Sequence, residues 1–278
     1  MNKVRLLLIA SLVLVSTALH AAPVVFSASG ANTGAIQTTV DAFRASLGTL
    51  NPNVAGSFGS GRREINWDGV PNALAAPNNL PANFFNATSP RGVTFATPGT
   101  GFQVSANAGV APIEFDNLNP TYSSLFATFS AQRLFTALGS TITDESFFVP
   151  GSNTLGFTTA FGAVFTDVDL ANTTSLQFFD LNNISLGTFF APSAAGNETL
   201  SFLGVQFNAN ERIGRVRITS GNAALGVGEG GGIDLVVMDD FIYAEPRAAV
   251  PEPATSLLML VPLAALIARR TRRNQRAG

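Results

Sequence analysis

Leu176-Gln-Phe-Phe179-Asp180-Leu-Asn-Asn183-Ile184-Ser-Leu-Gly-Thr-Phe-Phe190 decides the fold class of this chain. Two apolar, aromatic-rich runs flank Asp180-Leu-Asn-Asn183, whose residue types favour tight turns, and the combination is the signature of a β-hairpin. Upstream, Phe157-Thr-Thr-Ala-Phe161-Gly-Ala-Val-Phe165 has the same aromatic and Thr-rich strand character. Downstream, Leu200 to Phe207 reads as a strand. Ile213-Gly-Arg-Val216-Arg-Ile218 alternates Val and Ile with Arg, so its apolar face should be buried and its Arg face solvated. Ile233 to Tyr243 closes the series. Short strands separated by Gly, Asn, Pro and Ser predict a sandwich or jelly roll.

The N-terminal half is less regular. Thr38 to Gly48 predicts a short helix, with Val40, Phe43 and Leu47 on one face and Gly48 as C-cap. Residues 51–90 are rich in Asn, Pro and Gly. Ile65, Trp67, Phe84 and Phe85 interrupt them, which points to packed loops rather than disorder. Residues 22–245 therefore read as one mostly β domain. The expected fold is a jelly-roll-like antiparallel β-sandwich with a short N-terminal helix and long loops.

Composition narrows the chemistry. Of 278 residues, 46% are apolar and 12% charged, about half the usual charged share of about 25%. There is no Cys, the only Lys is Lys3 and the only His is His20. A body without these three residue types cannot carry Ser-His-Asp, Cys-His or Schiff-base catalysis, nor a His- or Cys-ligated metal. All 18 acids lie between Asp41 and Glu252, where only nine arginines oppose them, a net of about −9. That balance excludes nucleic acid as a partner, since nucleic-acid binding needs clustered Lys and Arg. Carboxylate chemistry and oxygen-ligand binding of Ca²⁺ remain.

Both ends read as signals. Lys3 and Arg5 precede the apolar run Leu6 to Val15, and small residues follow at Ala18, Ala21 and Ala22, which predicts a secretory signal peptide over residues 1–21. At the other end stand Val250-Pro251-Glu252-Pro253, apolar Ala254 to Ala268, and the basic cluster Arg269, Arg270, Arg272 and Arg273. As a helix, residues 254–268 would extend about 22 Å, short of the roughly 30 Å hydrocarbon core, and Pro262 weakens it further. The arginines hold the tail on the cytoplasmic side, so the segment reads as a temporary transmembrane stop.

This three-part ending over residues 250–278 resembles the PEP-CTERM sorting signal. The resemblance implies export by signal peptidase and the general secretory machinery, and an inner-membrane-tethered precursor. It further implies processing by an exosortase and delivery to the cell envelope or exopolysaccharide matrix of a Gram-negative bacterium. Contact with the membrane would be transient, through residues 254–268. Phe161-Gly-Ala-Val-Phe165-Thr-Asp167-Val-Asp169 and Leu235-Val-Val-Met-Asp239-Asp240-Phe-Ile-Tyr243 are similar in pattern to galactose-binding-like and carbohydrate-binding sandwiches. By that resemblance, Asp239 or Asp240 on the final strand is a candidate Ca²⁺ ligand.

The residues themselves supply further candidates. Asp167-Val168-Asp169 puts two carboxylates on one strand face about 7 Å apart, and they can share a Ca²⁺ only if the strand bends or ends there. In Asp239-Asp240, adjacent residues should point to opposite faces, so one acid should face inward and need a cation, an Arg or hydrogen bonds. Asn66-Trp67-Asp68 contains the only Trp, and Trp beside Asn and Asp suits the stacking and bonding of a sugar. Equally, Trp67 can be core and Asp68 a turn residue. Gly226 to Gly232 reads as a linker between the last two strands. The expectation is a surface or matrix protein without catalytic activity that binds glycans and is stabilised by Ca²⁺. The alternative is a carboxylate glycoside hydrolase using Glu64 and Asp68, or a polysaccharide lyase using Tyr122 or Tyr243.

Overall fold

Strand periodicity organises almost everything after the first helix. A computed structural model describes residues 22–208 and 211–249. The expected signal peptide (1–21) lies outside the described residues, as does the expected sorting signal (250–278), including Val250, Pro251, Glu252, Pro253 and Arg269, Arg270, Arg272, Arg273. The chain runs β1 (Val24–Gly30), α1 (Thr33–Leu47), β2 (Arg62–Ile65), β3 (Val93–Ala96), β4 (Gly101–Val104), β5 (Phe135–Leu138), β6 (Ile142–Phe147) and β7 (Gly156–Phe157). It continues through β8 (Ala160–Thr166), β9 (Ser175–Asp180), β10 (Ser185–Phe190), β11 (Leu200–Gln206), β12 (Ile213–Thr219), β13 (Val237–Ala244) and β14 (Arg247–Ala248). One sheet has the order β1-β11-β8-β13-β5-β4, with β2 also paired to β13. A second has the order β10-β9-β12-β6-β3, and β14 pairs with β7.

The protein is mostly β, and its strands pair antiparallel. The expected hairpin is β9–β10. Asp180 Oδ1 closes its turn by accepting the N–H groups of Asn182 at 2.8 Å and Ile184 at 2.7 Å. On β12, Ile213, Val216 and Ile218 are buried as expected. The Arg face of β12 meets Asp144 of β6, with Arg215 Nη1 at 2.6 Å and Arg217 Nη2 at 2.8 Å.

The core lies between the two sheets. Phe161, Ala163, Phe165 and Phe241 of the first sheet pack on Phe95, Phe147, Leu176, Phe178 and Val216 of the second. The outer face of the first sheet is covered by α1. This helix begins five residues before the expected Thr38, and it ends where Gly48, at φ 90, donates its N–H to Ala45 O. Ile36, Val40, Phe43 and Leu47 are its buried stripe. Phe43 sits against the backbone of Gly162 and Gly204, which face each other in register; a Cβ on either glycine would come within 2.9 Å of the Phe43 ring. The packed-loop expectation for residues 51–90 holds, because Ile65, Trp67, Phe84 and Phe85 are all in the core.

One inward-facing acid breaks the apolar pattern of the sheet interior. β6 buries Thr143, Glu145 and Phe147, and Glu145 lies in register between Phe95 and Val216. Neither Glu145 oxygen has a hydrogen-bond partner among the described residues. Burial raises its carboxyl well above the usual range. The folded state thus keeps a proton that the unfolded chain releases above about pH 4.3, so this group lowers stability progressively as pH rises from there. Replacing it with an apolar side chain removes an unsatisfied group whose burial costs about 1–3 kcal/mol. Glu145→Met should therefore raise the melting temperature at pH 7 and flatten the fall in stability between pH 5 and 7 seen in urea titrations. A less stable variant with an unchanged pH profile would show that Glu145 has a partner in solution.

Candidate metal centre

β8 ends at Thr166, and the next residue, Asp167, takes a left-handed conformation at φ 71, one that Asp tolerates better than most residues. This is the bend that Asp167 and Asp169 need in order to converge. They are joined by Glu229, from the glycine-rich stretch between β12 and β13. One carboxylate oxygen from each of the three lies within 4.8 Å of the others. Ca²⁺ holds oxygens at 2.3–2.6 Å, so ligands on opposite sides of it are about 5 Å apart, and the triad is the right size.

Burial gives the cluster its meaning. Asp167 is fully buried, and neither of its oxygens has a hydrogen-bond partner among the described residues. Asp169 and Glu229 are half-buried. Asp169 Oδ1 accepts the Gly196 N–H at 2.8 Å, and Glu229 Oε1 accepts the Leu235 N–H at 3.3 Å. Each therefore uses one oxygen on the backbone and has a second to offer. Behind them, buried Asp234 fixes the loop: its Oδ1 accepts the Asp169 N–H at 2.9 Å, and its other oxygen accepts from Thr173 Oγ1. Burial, then the charges of Glu229 and Asp169, pushes the Asp167 carboxyl up to about 8. Burial also raises Glu229 and Asp234. Two half-buried carboxylates facing a fully buried third, with no arginine bonded to Asp167 among the described residues, form a site of negative potential. An all-oxygen donor set selects hard cations such as Ca²⁺ over zinc or copper.

Asp239 and Asp240, expected as ligands alongside Asp167 and Asp169, are placed elsewhere. The β13–β8 register shifts between Met238 and Phe241, so strict alternation fails there and both acids are buried rather than one. Asp239 Oδ2 accepts the Phe129 N–H at 2.6 Å and the Ser130 N–H at 3.3 Å. Ser130 Oγ donates to Asp240 Oδ1 at 2.6 Å. Arg44 of α1 reaches Asp240 at 2.9 Å and Glu64 of β2 at 3.1 Å. Burial raises both Asp239 and Asp240, and Arg44 opposes this at Asp240. These acids tie the helix to the sheet. The same clamp occupies both oxygens of Glu64.

Asn66, Trp67 and Asp68 also divide. Trp67 is 1% exposed and stacked on Phe135 at 4.0 Å, and its Nε1 donates to Asp239 O at 2.8 Å. It has no face left for a sugar. Asn66 Nδ2 donates to Asp68 Oδ2 at 3.2 Å, and Asp68 Oδ1 accepts the Gln132 N–H at 2.8 Å. Next to Gln132, buried Arg133 bonds Asn72 Oδ1 and lines a cleft of about 150 Å³ with Asn72, Asn107 and Val110. Both tyrosines are buried and engaged: Tyr122 Oη donates to Val227 O at 2.7 Å, and Tyr243 Oη to Arg91 O at 3.1 Å.

Sequence reasoning found Asp167 and Asp169 and missed Glu229. The signal for Glu229 was a single charge set among glycines. Compared with protein-family models and with curated proteins, the chain matches none. The site therefore rests on its own geometry.

Binding to the native state alone stabilises by about 2.7 kcal/mol at 100 times Kd, or about 5–10 °C for a domain of this size. Saturating CaCl2 should raise the melting temperature of the full chain by that order relative to EGTA. Asp167→Asn should abolish the shift. Asp240→Asn should lower the starting temperature yet keep the shift. Loss of the shift in Asp240→Asn alone would return the site to the last strand.

Proposed function

We propose that the chain is an exported, non-catalytic component of the cell envelope or exopolysaccharide matrix of a Gram-negative bacterium, with a sandwich stabilised by Ca²⁺. The observation that carries the cation reading is the convergence of Asp167, Asp169 and Glu229 around a carboxylate with no other partner. Export and sorting rest on the two terminal sequences: the Lys3 and Arg5 leader, and the Val250-Pro251-Glu252-Pro253 motif with its apolar segment and basic cluster. In this reading an exosortase removes the tail, and the body is a jelly roll of the galactose-binding-like kind. Glycan contact moves from Trp67 to the cleft lined by Asn72 and Asn107, whose amides suit hydroxyl oxygens.

A second reading, a carboxylate hydrolase, has one observation in its favour. Glu114 sits at φ 46, and burial together with the charge of Glu198 raises it to about 7. A carboxyl that keeps its proton up to near-neutral pH can serve as a general acid. Turnover of a polysaccharide by the purified full chain, lost in Glu114→Gln, would establish that reading in place of the first.

In the sorting motif Val250-Pro251-Glu252-Pro253, Glu252 is the acidic residue, set between two prolines. In the producing bacterium, Glu252→Ala should accumulate as an unprocessed, membrane-retained precursor, while the unaltered chain appears as a shorter matrix form on immunoblots. Normal release of the variant would overturn the sorting assignment.

A further inference from the structure

Glu229 reaches the acidic triad on a peculiar segment. Gly226-Val-Gly-Glu229-Gly-Gly-Gly232 contains five glycines in seven residues. Four of them, Gly226, Gly230, Gly231 and Gly232, have φ between 64 and 121. A Cβ on any of the five would meet nothing within 4 Å. Crowding therefore does not demand glycine here. Backbone freedom does, and glycine loses more of that freedom on ordering than any other residue.

Few contacts offset the ordering. Glu229 is the one residue of the segment that is not exposed. Tyr122 Oη donates to Val227 O at 2.7 Å and accepts the Gly226 N–H at 2.6 Å. Asn119 Nδ2 adds a bond to Val227 O at 3.1 Å, and Asn222 Nδ2 one to Gly232 O at 2.8 Å. Beneath the segment lies a separate apolar cluster that includes Phe115, Tyr122, Phe126 and Leu235, against which Leu225 and Ile233 pack from the two ends of the loop. The segment is thus a strap, anchored at both ends and pinned in the middle by Glu229 and Tyr122.

Without a cation the central pin works against closure. Closing brings Glu229 within 4.8 Å of Asp169 beside the buried Asp167, and the like charges of Glu229 and Asp169 repel at that range. A divalent cation among the three carboxylates reverses the sign of the interaction. We propose that the segment from Gly226 to Gly232 is a cation-gated strap: a divalent cation bound by Asp167, Asp169 and Glu229 closes it, and closure seats the Tyr122 latch over the apolar cluster. This rests on the cation reading of the triad and adds to it a coupled change of order. When the cation leaves, the strap opens, and the Tyr122 hydroxyl loses both its bonds to the loop.

Hydrogen–deuterium exchange of the full chain in CaCl2 and in EGTA tests the strap, with melting recorded on the same samples. Ca²⁺ should slow exchange about tenfold or more in peptides covering residues 225–233 and 118–126, while the β9–β10 hairpin stays unchanged. Asp169→Asn and Glu229→Gln each remove one of the repelling charges, and the amide oxygens they introduce can still accept the Gly196 and Leu235 N–H groups. Both variants should show a more protected strap in EGTA than the unaltered chain, and little further protection from CaCl2. A Ca²⁺-induced rise in melting temperature with equal strap exchange in the two buffers would overturn the strap and leave the site standing. No change in either measurement would overturn the site and the strap together. A strap that exchanges as fast in both variants as in the unaltered chain in EGTA would show that charge repulsion does not hold it open, and would overturn the gating.

Discussion

A carboxylate taken out of water must be neutralised, and this structure is arranged around where its few arginines do that. Arg63 and Glu245, both buried, pair at 2.8 Å. Arg44 serves Glu64 and Asp240, and Arg215 and Arg217 serve Asp144. These pairs join a helix to a sheet, strand β2 to the residue that follows β13, and one strand to its neighbour. Removing one partner of a buried pair leaves an uncompensated charge, so each pair fixes the position of the element that carries it. Asp167 and Glu145 are the buried acids to which no donor is bonded among the described residues.

Those two acids resolve the same problem differently. Glu145 stands among apolar side chains of the inner sheet faces, with Phe95 and Val216 beside it in register, and a proton is its only means of neutralisation. Asp167 stands at the end of a strand, where two half-buried carboxylates approach it from other parts of the chain. A proton on one of three acids leaves the others repelling. A divalent cation would neutralise two charges and could take one oxygen ligand from each of the three carboxylates. The difference lies in place: the middle of a strand buries a single side chain, while its end admits loops that bring more acids.

The sequence made legible what local periodicity controls. The β9–β10 hairpin, the buried stripe of α1 with its Gly48 cap, and the Arg-lined face of β12 all follow from spacing and turn chemistry. So did the condition on Asp167 and Asp169, since a strand ending between Thr166 and Asp167 was the geometry their sharing required. What escaped was non-local or irregular. Asp239 and Asp240 were read by alternation, and a register shift at that point removes alternation. For Trp67 the sequence leaves a sugar-facing and a core position both open, and only Phe85, Phe135 and Phe241 from distant segments, which enclose it, decide for the core. Glu229 lies 60 residues beyond Asp169 in the numbering, and no spacing rule joins them. Only the three-dimensional course of a glycine-rich strap does.

The central claim is that Asp167, Asp169 and Glu229 hold a divalent cation. Equilibrium dialysis of the full chain against CaCl2, with bound calcium counted by atomic emission, addresses it without reference to stability or sorting. The account requires one Ca²⁺ per chain, lost in Asp167→Asn and retained in Asp240→Asn. A chain that binds no calcium at millimolar concentration, or binds it equally well with Asp167 replaced, would contradict the account.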